Sequence, residues 1–340
     1  MKLVLLTSQQ KQRGLALVMA VLIAALATSA IAFAAWRQQV RLRDAQIRAD
    51  SAQAQQVVRS SITLARTLLI DDINNNSTYD YLGDDWAKPI SDVGVEQGKV
   101  SGSLVDMQGR FNLNSLIDPT GPQGEKLESY KRLLNSLSLD PNLGEKLLDW
   151  LDADDIVSTN GAEDMVYLAK NPAYRAANRP LSDLSELLLV DGYTQATIDA
   201  LSPFVSVYPL SPFALININT TSPEVLAAIV SIPAGSSIPS GAKLSVSEAK
   251  TLLNDVATNP YKTQADFAAK LTQTLALPPG SQPIQSLVNS NFDVTSQYFQ
   301  ADLRVTYGKV TWHENVFLWR SLDRNPGLRS KTLWRRRVSD

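Results

Sequence analysis

The most constraining feature of this sequence is an uncharged run over residues 15–36, which follows a short basic segment ending at Gly14. At a rise of about 1.5 Å per residue, a helix over this run measures roughly 33 Å and can cross the apolar core of a bilayer. A cleaved secretory signal has a shorter apolar stretch followed by a small-residue site, and Ala32-Phe33-Ala34 leaves that alternative open. The length of the run favours an anchor that stays in the membrane.

The helical pattern continues well beyond the apolar run. Residues 37–69 contain neither proline nor glycine. An apolar stripe recurs there at steps of four, three and four residues, at Val58, Ile62, Ala65 and Leu69. This spacing predicts one continuous helix from Leu15 to about Ile70, with a second half that is amphipathic and packs on a globular domain. Asp71-Asp72 and the asparagines after them are expected to end it.

Composition excludes several kinds of active site. The chain has no cysteine and one histidine, His313, so thiolate and multi-histidine sites are absent and a Ser-His-Asp triad has little basis. The formal net charge of −2 gives no global attraction to nucleic acid.

Residues 184–198 and 225–253 have the pattern of helix-hairpin-helix units. Acidic residues surround the first of these hairpins, which favours a packing role over phosphate binding.

Two stretches in the middle of the chain are similar to each other: GRFNLNSL from Gly109 and LININTTSPEVL from Leu215. In each, apolar residues alternate with asparagine before a helix begins, which predicts a short strand with one buried face. The asparagine amides can satisfy backbone groups at the corner between strand and helix. Ser222-Pro223 is typical of a helix N-cap followed by proline at the first helical position.

An acidic segment lies between these two stretches. Five carboxylates fall within thirteen residues, around a Thr159-Asn160-Gly161 turn: Asp152, Asp154, Asp155, Glu163 and Asp164. Calcium accepts such hard oxygen ligands, although the spacing is not that of an EF-hand. A solvated acidic loop is the alternative. A glycosidase-type carboxylate pair is disfavoured because few aromatic residues flank the segment.

The carboxy-terminal part predicts a β-hairpin with its turn at Gly308-Lys309, where apolar and aromatic residues alternate on both arms. Together with residues 100–116, this hairpin is expected to form a small antiparallel sheet that packs on the amphipathic half of the long helix. His313 is interpreted as a strand residue beside a cross-strand partner rather than a catalytic group. A basic tail such as RSKTLWRRRVSD is most often disordered, and contact with acidic lipid or with a partner is the alternative.

The amino-terminal segment resembles a type IV prepilin: a basic leader ending in glycine, a hydrophobic residue, and a helix that changes from apolar to amphipathic. The resemblance implies that a prepilin peptidase cuts between Gly14 and Leu15, and that Leu15 becomes the N-methylated first residue. Most members carry glutamate at the fifth mature position, where this chain has Met19. A carboxylate in a membrane is energetically costly unless a neighbouring subunit pairs with it. A subunit with no neighbour ahead of it lacks that partner and has no reason to keep the carboxylate. An ordinary lipid-facing methionine is the alternative.

Residues 149–192 resemble the minor pseudopilin K family of type II secretion, through the pattern D-W-x-D-x-D…G-A-E-D…Y-R…N-x-P-L…E-L…V-x-G. The stretches G-R-F-N-L-N and N-I-N-T-x-S-P-E-V-L are similar to the same family. The resemblance implies structural calcium in an inserted helical domain. By position its ligands are Asp152, Asp154, Glu163 and Asp164, with Asp155 as a further candidate.

The expected fold class is α+β, with a pilin-like long helix on a small antiparallel sheet and a large, mostly helical insertion. The expected division is a leader (1–14), a transmembrane half-helix (15–36), the amphipathic half with the first strands (37–115), the helical insertion (116–286), the last strands (287–323) and a basic tail (324–340).

The resemblance further implies a non-enzymatic protein of the bacterial inner membrane, with a single span and most of its chain in the periplasm. It would form the pseudopilus tip with minor pseudopilins I and J, nucleate assembly and support the export of folded proteins. The other expected partners are the prepilin peptidase and inner-membrane lipid, with no nucleic acid. Contacts with the exported substrate and the outer-membrane secretin stay open. The alternative is a membrane-anchored periplasmic enzyme or nucleic-acid-binding protein with a Sec-type signal.

Overall fold

The computed structural model describes residues 8–75, 78–118, 124–232, 234, 241–323 and 329–338, with side chains from residue 15 onward. The α-helices are α1 (Ser8–Asn74), α2 (Glu125–Ser136), α3 (Leu143–Leu151), α4 (Asp164–Leu168), α5 (Gln195–Leu201), α6 (Pro223–Ile229), α7 (Val246–Leu253), α8 (Gln264–Thr274) and α9 (Gln282–Asn291). The strands are β1 (Ile90–Val95), β2 (Gly98–Asp106), β3 (Phe111–Asn112), β4 (Val205–Ser206), β5 (Ile216–Asn217), β6 (Ser231–Ile232), β7 (Ala242–Lys243), β8 (Phe292–Asp293), β9 (Tyr298–Tyr307), β10 (Val310–Arg320) and β11 (Ser330–Arg337). Short 3₁₀ helices occur at Asp85–Ala87, Met107–Gly109, Leu113–Ile117 and Leu184–Leu189.

The long helix α1 confirms the prediction of one unbroken helix and ends four residues later than expected. From Leu15 to Ala49 every residue is exposed, and Asp50 is the first buried one. Among the described residues, α1 is the helix that is long and apolar enough to cross a membrane, with a mean hydropathy of 2.5 in its most apolar window. Its first half therefore fits a single-pass anchor.

The second half of α1 packs on an antiparallel five-stranded sheet with the strand order β1-β2-β9-β10-β11. The predicted apolar stripe is buried against this sheet, together with residues of β9 and β10: Ala54, Val58, Ile62, Ala65, Leu69, Phe299, Ala301, Val305, Val316 and Leu318. Gly308 closes the β9–β10 turn with a φ of +55°, and a Cβ atom there would lie 2.4 Å from the Asp50 carboxylate. A larger residue there would strain the backbone at this φ and would require the Asp50 side chain to move.

Two expectations about the sheet are wrong. The strand predicted to reach residue 116 leaves the sheet at Asp106, and Phe111–Asn112 instead pairs in parallel with Val205–Ser206. Phe111 goes there because its ring stacks on Tyr130, in the core of the helical part. The tail expected to be disordered forms β11, whose Trp334 ring stacks on Phe317 of β10.

The helical part consists of two similar units that begin at the two related stretches. In the first, Asn114 donates to the carbonyl of Leu181 at 3.0 Å and accepts from its amide at 2.7 Å. In the second, Asn219 makes the same pair of bonds with Tyr261, both at 2.9 Å. The asparagines therefore satisfy backbone groups at the strand-to-helix corners, as predicted, but across long sequence separations.

The helix starts and hairpins follow from local signals. Ser222 accepts from the amide of Val225 and Pro223 stands at the first helical position, as the sequence predicts. In the hairpin over residues 184–198 the first arm is a 3₁₀ helix, capped by Asp183 and Glu186, and the second arm is α5. Asp183 and Glu186 therefore cap the backbone of this hairpin, whereas Asp191 pairs with Lys146 and Lys170.

Candidate metal centre and membrane anchor

The acidic segment is held between two helices that are fixed by aromatic packing. Helix α3 buries Trp150 at its end, and the short helix α4 buries Tyr167. The two rings meet edge to face with centroids 5.0 Å apart. Asp152 follows α3 directly and Glu163 precedes α4 directly, so this ring contact brings the two carboxylates together across the intervening loop.

Three of the predicted ligands come together at this point. Asp152, Asp154 and Glu163 each offer a carboxylate oxygen that lies within 4.8 Å of the other two. Glu163 is buried, Asp152 is half-buried and Asp154 is exposed. The group therefore opens to solvent on one side, where an ion can enter.

Asp149 lies beneath this group and is fully buried. Its Oδ2 accepts from the amide of Ser158 at 3.0 Å, which shapes the loop. Gly161 lies against the same carboxylate, where a Cβ atom would come within 2.0 Å of Oδ2. Only glycine leaves room here for the loop to close over Asp149.

Within the described part of the chain, four buried carboxylate oxygens of this cluster accept no hydrogen bond: Oδ1 of Asp149, Oδ1 of Asp152 and both Oε atoms of Glu163. A buried acceptor without a donor is costly, and a cation removes that cost. Calcium takes six to eight oxygens at about 2.3–2.6 Å, so ligands on opposite sides of the ion are up to ~5 Å apart. The spacing and the oxygen-only chemistry of these residues therefore fit calcium.

The electrostatics of the cluster also favour a cation. Burial, followed by the nearby Asp154 and Asp149 carboxylates, raises the pKa of Asp152 to about 6. Burial, followed by Asp149 and Asp152, raises the pKa of Glu163 to about 7. The neighbouring carboxylates therefore resist simultaneous ionisation, because their like charges repel one another in a partly buried place.

The other two predicted ligands are engaged elsewhere. Asp164 accepts from Arg175 at 2.7 Å through Oδ2 and from the amide of Ala176 at 3.0 Å through Oδ1. Asp155 is exposed and accepts from the Asn178 side chain at 3.3 Å. Sequence reasoning missed Asp149 as a member of the cluster. Its signal was its position in the last turn of the predicted helix, three residues before Asp152 and directly before the acidic segment.

The residues predicted to take part in processing all lie on α1. The bond between Gly14 and Leu15 lies within the helix, near its start. The side chains of Leu15 and Met19 are 65% and 55% exposed. Both therefore lie on the bare, apolar half of the helix and not on the half that packs against the sheet.

His313 is not part of the metal cluster. It lies on β10, where its Nε2 atom is 2.9 Å from the carboxylate of Asp302 on the neighbouring strand β9. This confirms the interpretation as a strand residue with a cross-strand partner.

Comparison with known proteins agrees with this architecture. The family model for type II secretion system (T2SS) protein K matches residues 109–210. Type II secretion system protein K of Pseudomonas aeruginosa is 32% identical over 87% of this chain and 85% of its own length. The protein of the same name from Klebsiella pneumoniae is 31% identical over 91% of this chain and 92% of its own.

A solved structure has the same fold. A chain from the crystal structure of the GspK-GspI-GspJ complex of enterotoxigenic Escherichia coli matches with a TM-score of 0.71 and 24% identity, covering 88% of this chain and 100% of that one. With the long anchor helix, the small sheet and the helical insertion, the relatives at 31–32% identity show that the chain belongs to the type II secretion system protein K family.

Proposed function

We propose that this chain is the minor pseudopilin at the tip of the type II secretion pseudopilus and that its role is assembly rather than catalysis. The observation that carries the proposal is the division of α1. The first half is exposed and apolar. The second half continues the same helix without a break and packs on the sheet. Such a helix anchors a periplasmic domain in the inner membrane and offers a filament-forming surface.

Processing follows the prepilin route in this proposal. A prepilin peptidase cuts between Gly14 and Leu15 on the cytoplasmic side, and Leu15 becomes the N-methylated first residue. Met19 then occupies the position where filament subunits keep a glutamate. Because no subunit lies ahead of the tip, a carboxylate there would be unpaired in an apolar surrounding, and methionine avoids that cost.

The size of the helical insertion supports a terminal position. The insertion forms its own core, separate from the core between α1 and the sheet. Subunits inside a filament stack with their globular parts close together, and a second domain of this size would block the next subunit. At the tip, the same domain is free to project.

The proposed partners are the two further minor pseudopilins, I and J. The relative of known structure was crystallised as a complex with proteins named GspI and GspJ. We infer that this chain joins the corresponding subunits, nucleates the pseudopilus and thereby supports the export of folded proteins across the outer membrane.

Calcium is the proposed structural ion of the helical insertion. Asp152, Asp154 and Glu163 would hold it, and Asp149 would support them from below. The ion supplies the positive charge that lets these carboxylates ionise together. Asp149 also holds the loop after α3, because its Oδ2 accepts from the amide of Ser158 at 3.0 Å.

The test of the proposed function is the intact mass of the full-length chain from membranes of a host with and without the prepilin peptidase. With the peptidase we expect loss of residues 1–14 and one added methyl group. The unprocessed chain should accumulate without it. Cleavage after Ala34 would identify a Sec-type signal instead and overturn the proposal.

A further inference from the structure

A group of arginines follows the apolar run of α1 within twelve residues: Arg37, Arg41, Arg43 and Arg48. All four side chains are exposed, and Asp44 is the one acidic residue in the same stretch. In the ranges that the structure describes, none of the four forms an ion pair with a carboxylate. The first three are called the arginine collar here, and their charge has no counterpart within the described chain.

Aromatic residues at the end of the apolar run mark the level of the membrane surface. The rings of Phe33 and Trp36 have centroids 6.1 Å apart, and both side chains are exposed. The guanidinium group of Arg37 lies 5.6 Å from the centroid of the Phe33 ring. Tryptophan is enriched at the boundary between lipid tails and headgroups. Trp36 therefore places that boundary directly before the first residue of the collar.

The rise of the helix sets the height of each arginine. Arg37, Arg41 and Arg43 lie about 1.5, 7.5 and 10.5 Å beyond Trp36 along the axis of α1. Each headgroup layer is roughly 5–8 Å thick, because a bilayer of about 40–45 Å has an apolar core of about 30 Å. Side chains on a helix lean toward its N-terminus, which here is toward the membrane, and arginine is long enough to reach back over several ångströms. All three guanidinium groups of the collar therefore reach the level of the lipid phosphates.

The globular part of the chain begins above the collar. Asp50 is the first buried residue of α1 and lies about 21 Å beyond Trp36. Arg48 lies about 18 Å beyond Trp36, which separates it from the phosphate layer by more than the Debye length of about 8 Å. The collar thus occupies the space between the membrane and the sheet. At this height, lipid phosphate is the nearest source of negative charge.

Removal of the leader leaves the basic residues beside the span on one side only. The proposed cut after Gly14 takes away Lys2, Lys11 and Arg13, which are the basic residues before the span. The mature chain then has its flanking arginines at the periplasmic end, opposite to the usual enrichment of basic residues in cytoplasmic loops. Orientation of the span does not account for these arginines. A function at the periplasmic surface does.

We propose that Arg37, Arg41 and Arg43 bind the phosphate groups of anionic phospholipids in the periplasmic leaflet of the inner membrane. The inference rests on the proposed function for the choice of leaflet, whereas the attraction itself follows from charge and position. The planar guanidinium group suits this ligand because it donates two parallel hydrogen bonds to phosphate. Outward movement of the span would lift the arginines off the phosphates, so the contact also holds α1 at a fixed depth.

The test is the lipid preference of the full-length, processed chain in nanodiscs of phosphatidylcholine and phosphatidylglycerol in a three-to-one ratio. Spin-labelled lipids with each headgroup report which lipid contacts the chain, through the fraction whose motion is restricted. We expect a preference for phosphatidylglycerol of about fivefold or more, since each arginine near an anionic surface contributes about that factor. The triple variant Arg37→Gln/Arg41→Gln/Arg43→Gln should bring the ratio close to one. The corresponding triple lysine variant keeps the charge and should keep most of the preference.

The control is Arg59→Gln, which changes an exposed arginine of the same helix about 35 Å beyond Trp36 and should leave the preference intact. Unchanged melting temperatures would show that the variants fold. Equal ratios for the wild type and the triple glutamine variant would overturn the proposal. Loss of the preference on addition of glycerol phosphate at matched ionic strength would also overturn it, because the collar would then be a site for free phosphate compounds.

Co-purification with pseudopilins I and J separates the collar from a protein contact and from the proposed function. If the triple glutamine variant keeps the lipid preference but loses the partners, the arginines serve a protein contact and the proposal is wrong. A wild-type chain that is processed and recovers both partners without any lipid preference would remove the collar proposal and leave the proposed function standing. An unprocessed chain with the full lipid preference would do the reverse.

Discussion

Arg320, at the end of β10, donates to the carboxylate of Asp72 in the last turn of α1 at 2.8 Å, although the arginine side chain is only 1% exposed. The same guanidinium pairs with Asp80 and donates to the carbonyls of Leu69 and Ser296, both at 3.0 Å. Ser296 lies on the segment that leads from the helical insertion back to the sheet. One buried cation therefore joins α1, the loop after it and the return of the chain from the insertion.

Replacement of Arg320 should destabilise the whole protein. Arg320→Met leaves two carboxylates, at Asp72 and Asp80, without their cation in a buried place. Breaking a buried ion pair by removing one partner costs about 3–5 kcal/mol. The measurement is the free energy of unfolding in urea, with Arg59→Met on the exposed side of α1 as the control. We expect the control to stay within about 0.5 kcal/mol of wild type. Equal effects of the two variants would contradict this role.

The parts of the fold that could be predicted from sequence are those with a local period. The stripe from Val58 to Leu69 and the alternation around Gly308 each specify an element and its buried face within a few residues. Arg320 carries no such signal, because its partners Asp72 and Asp80 lie 248 and 240 residues away. Pairing at that separation depends on the tertiary fold and not on spacing.

The metal cluster and the C-terminal tail show the same limit of prediction from sequence. Carboxylate density predicted a cluster, and the structure brings Asp152, Asp154 and Glu163 together. Asp164 is just as close in sequence, yet its position is decided by Arg175 and by the amide of Ala176, and the family pattern that contains both Asp164 and Arg175 does not say that they pair. The tail looked disordered because its charge dominates its composition. It forms a strand because Trp334 stacks on Phe317 of β10 and Arg335 pairs with Glu314 of the same strand.

Chelation should lower the melting temperature of the wild-type chain. Calcium at 100 times its dissociation constant stabilises a protein by about 2.7 kcal/mol if it binds only the folded state. Asp152→Asn and Glu163→Gln should weaken or abolish the response to chelator. Asp164→Asn changes an equally acidic neighbour that pairs with Arg175, and should keep the full response. If chelator does not shift the melting curve of the wild-type chain, calcium does not stabilise the folded protein and the calcium proposal is wrong.

The stability of the chelated protein should fall as pH rises from about 4 to about 7. The pKa of Asp152 is raised to about 6 and that of Glu163 to about 7. The unfolded carboxyls have pKa values near 4, so the folded state binds more protons in this window and loses stability as pH rises through it. Calcium replaces those protons, so its stabilising effect should grow over the same range.

Melting temperatures at a series of pH values, with chelator and with calcium, check this dependence. The double variant Asp152→Asn/Glu163→Gln is the control, because it keeps every other titrating group. Its stability should depend less on pH between about 4 and 7 than that of the chelated wild type. The same slope in both proteins would mean that these carboxyls do not titrate as described.

Loss of the tail strand should destabilise the sheet, in contrast to removal of a disordered segment. Glu314 has a side chain that is 6% exposed, and Arg335 of β11 pairs with it at 2.5 Å. Arg335 itself is exposed, and Trp312 still donates to the same carboxylate at 3.1 Å, so for Arg335→Ala we expect a loss of about 1.5 kcal/mol in the free energy of unfolding. Arg337→Ala, on the exposed end of the same strand, is the matched control and should cost less than about 1 kcal/mol. Equal stability of the two variants would mean that β11 contributes little.

The two related asparagines should stabilise their own units separately. Asn114 and Asn219 are both fully buried, and each bridges the amide and the carbonyl of one distant residue, Leu181 or Tyr261. Replacement of either by alanine leaves a backbone donor and acceptor without partners, at about 1–3 kcal/mol for each buried group. Hydrogen exchange should then increase around Leu181 in Asn114→Ala and around Tyr261 in Asn219→Ala. Asn142→Ala, at an exposed position, should change neither region. Loss of protection in both units from either variant would show instead that the insertion unfolds as a single cooperative body.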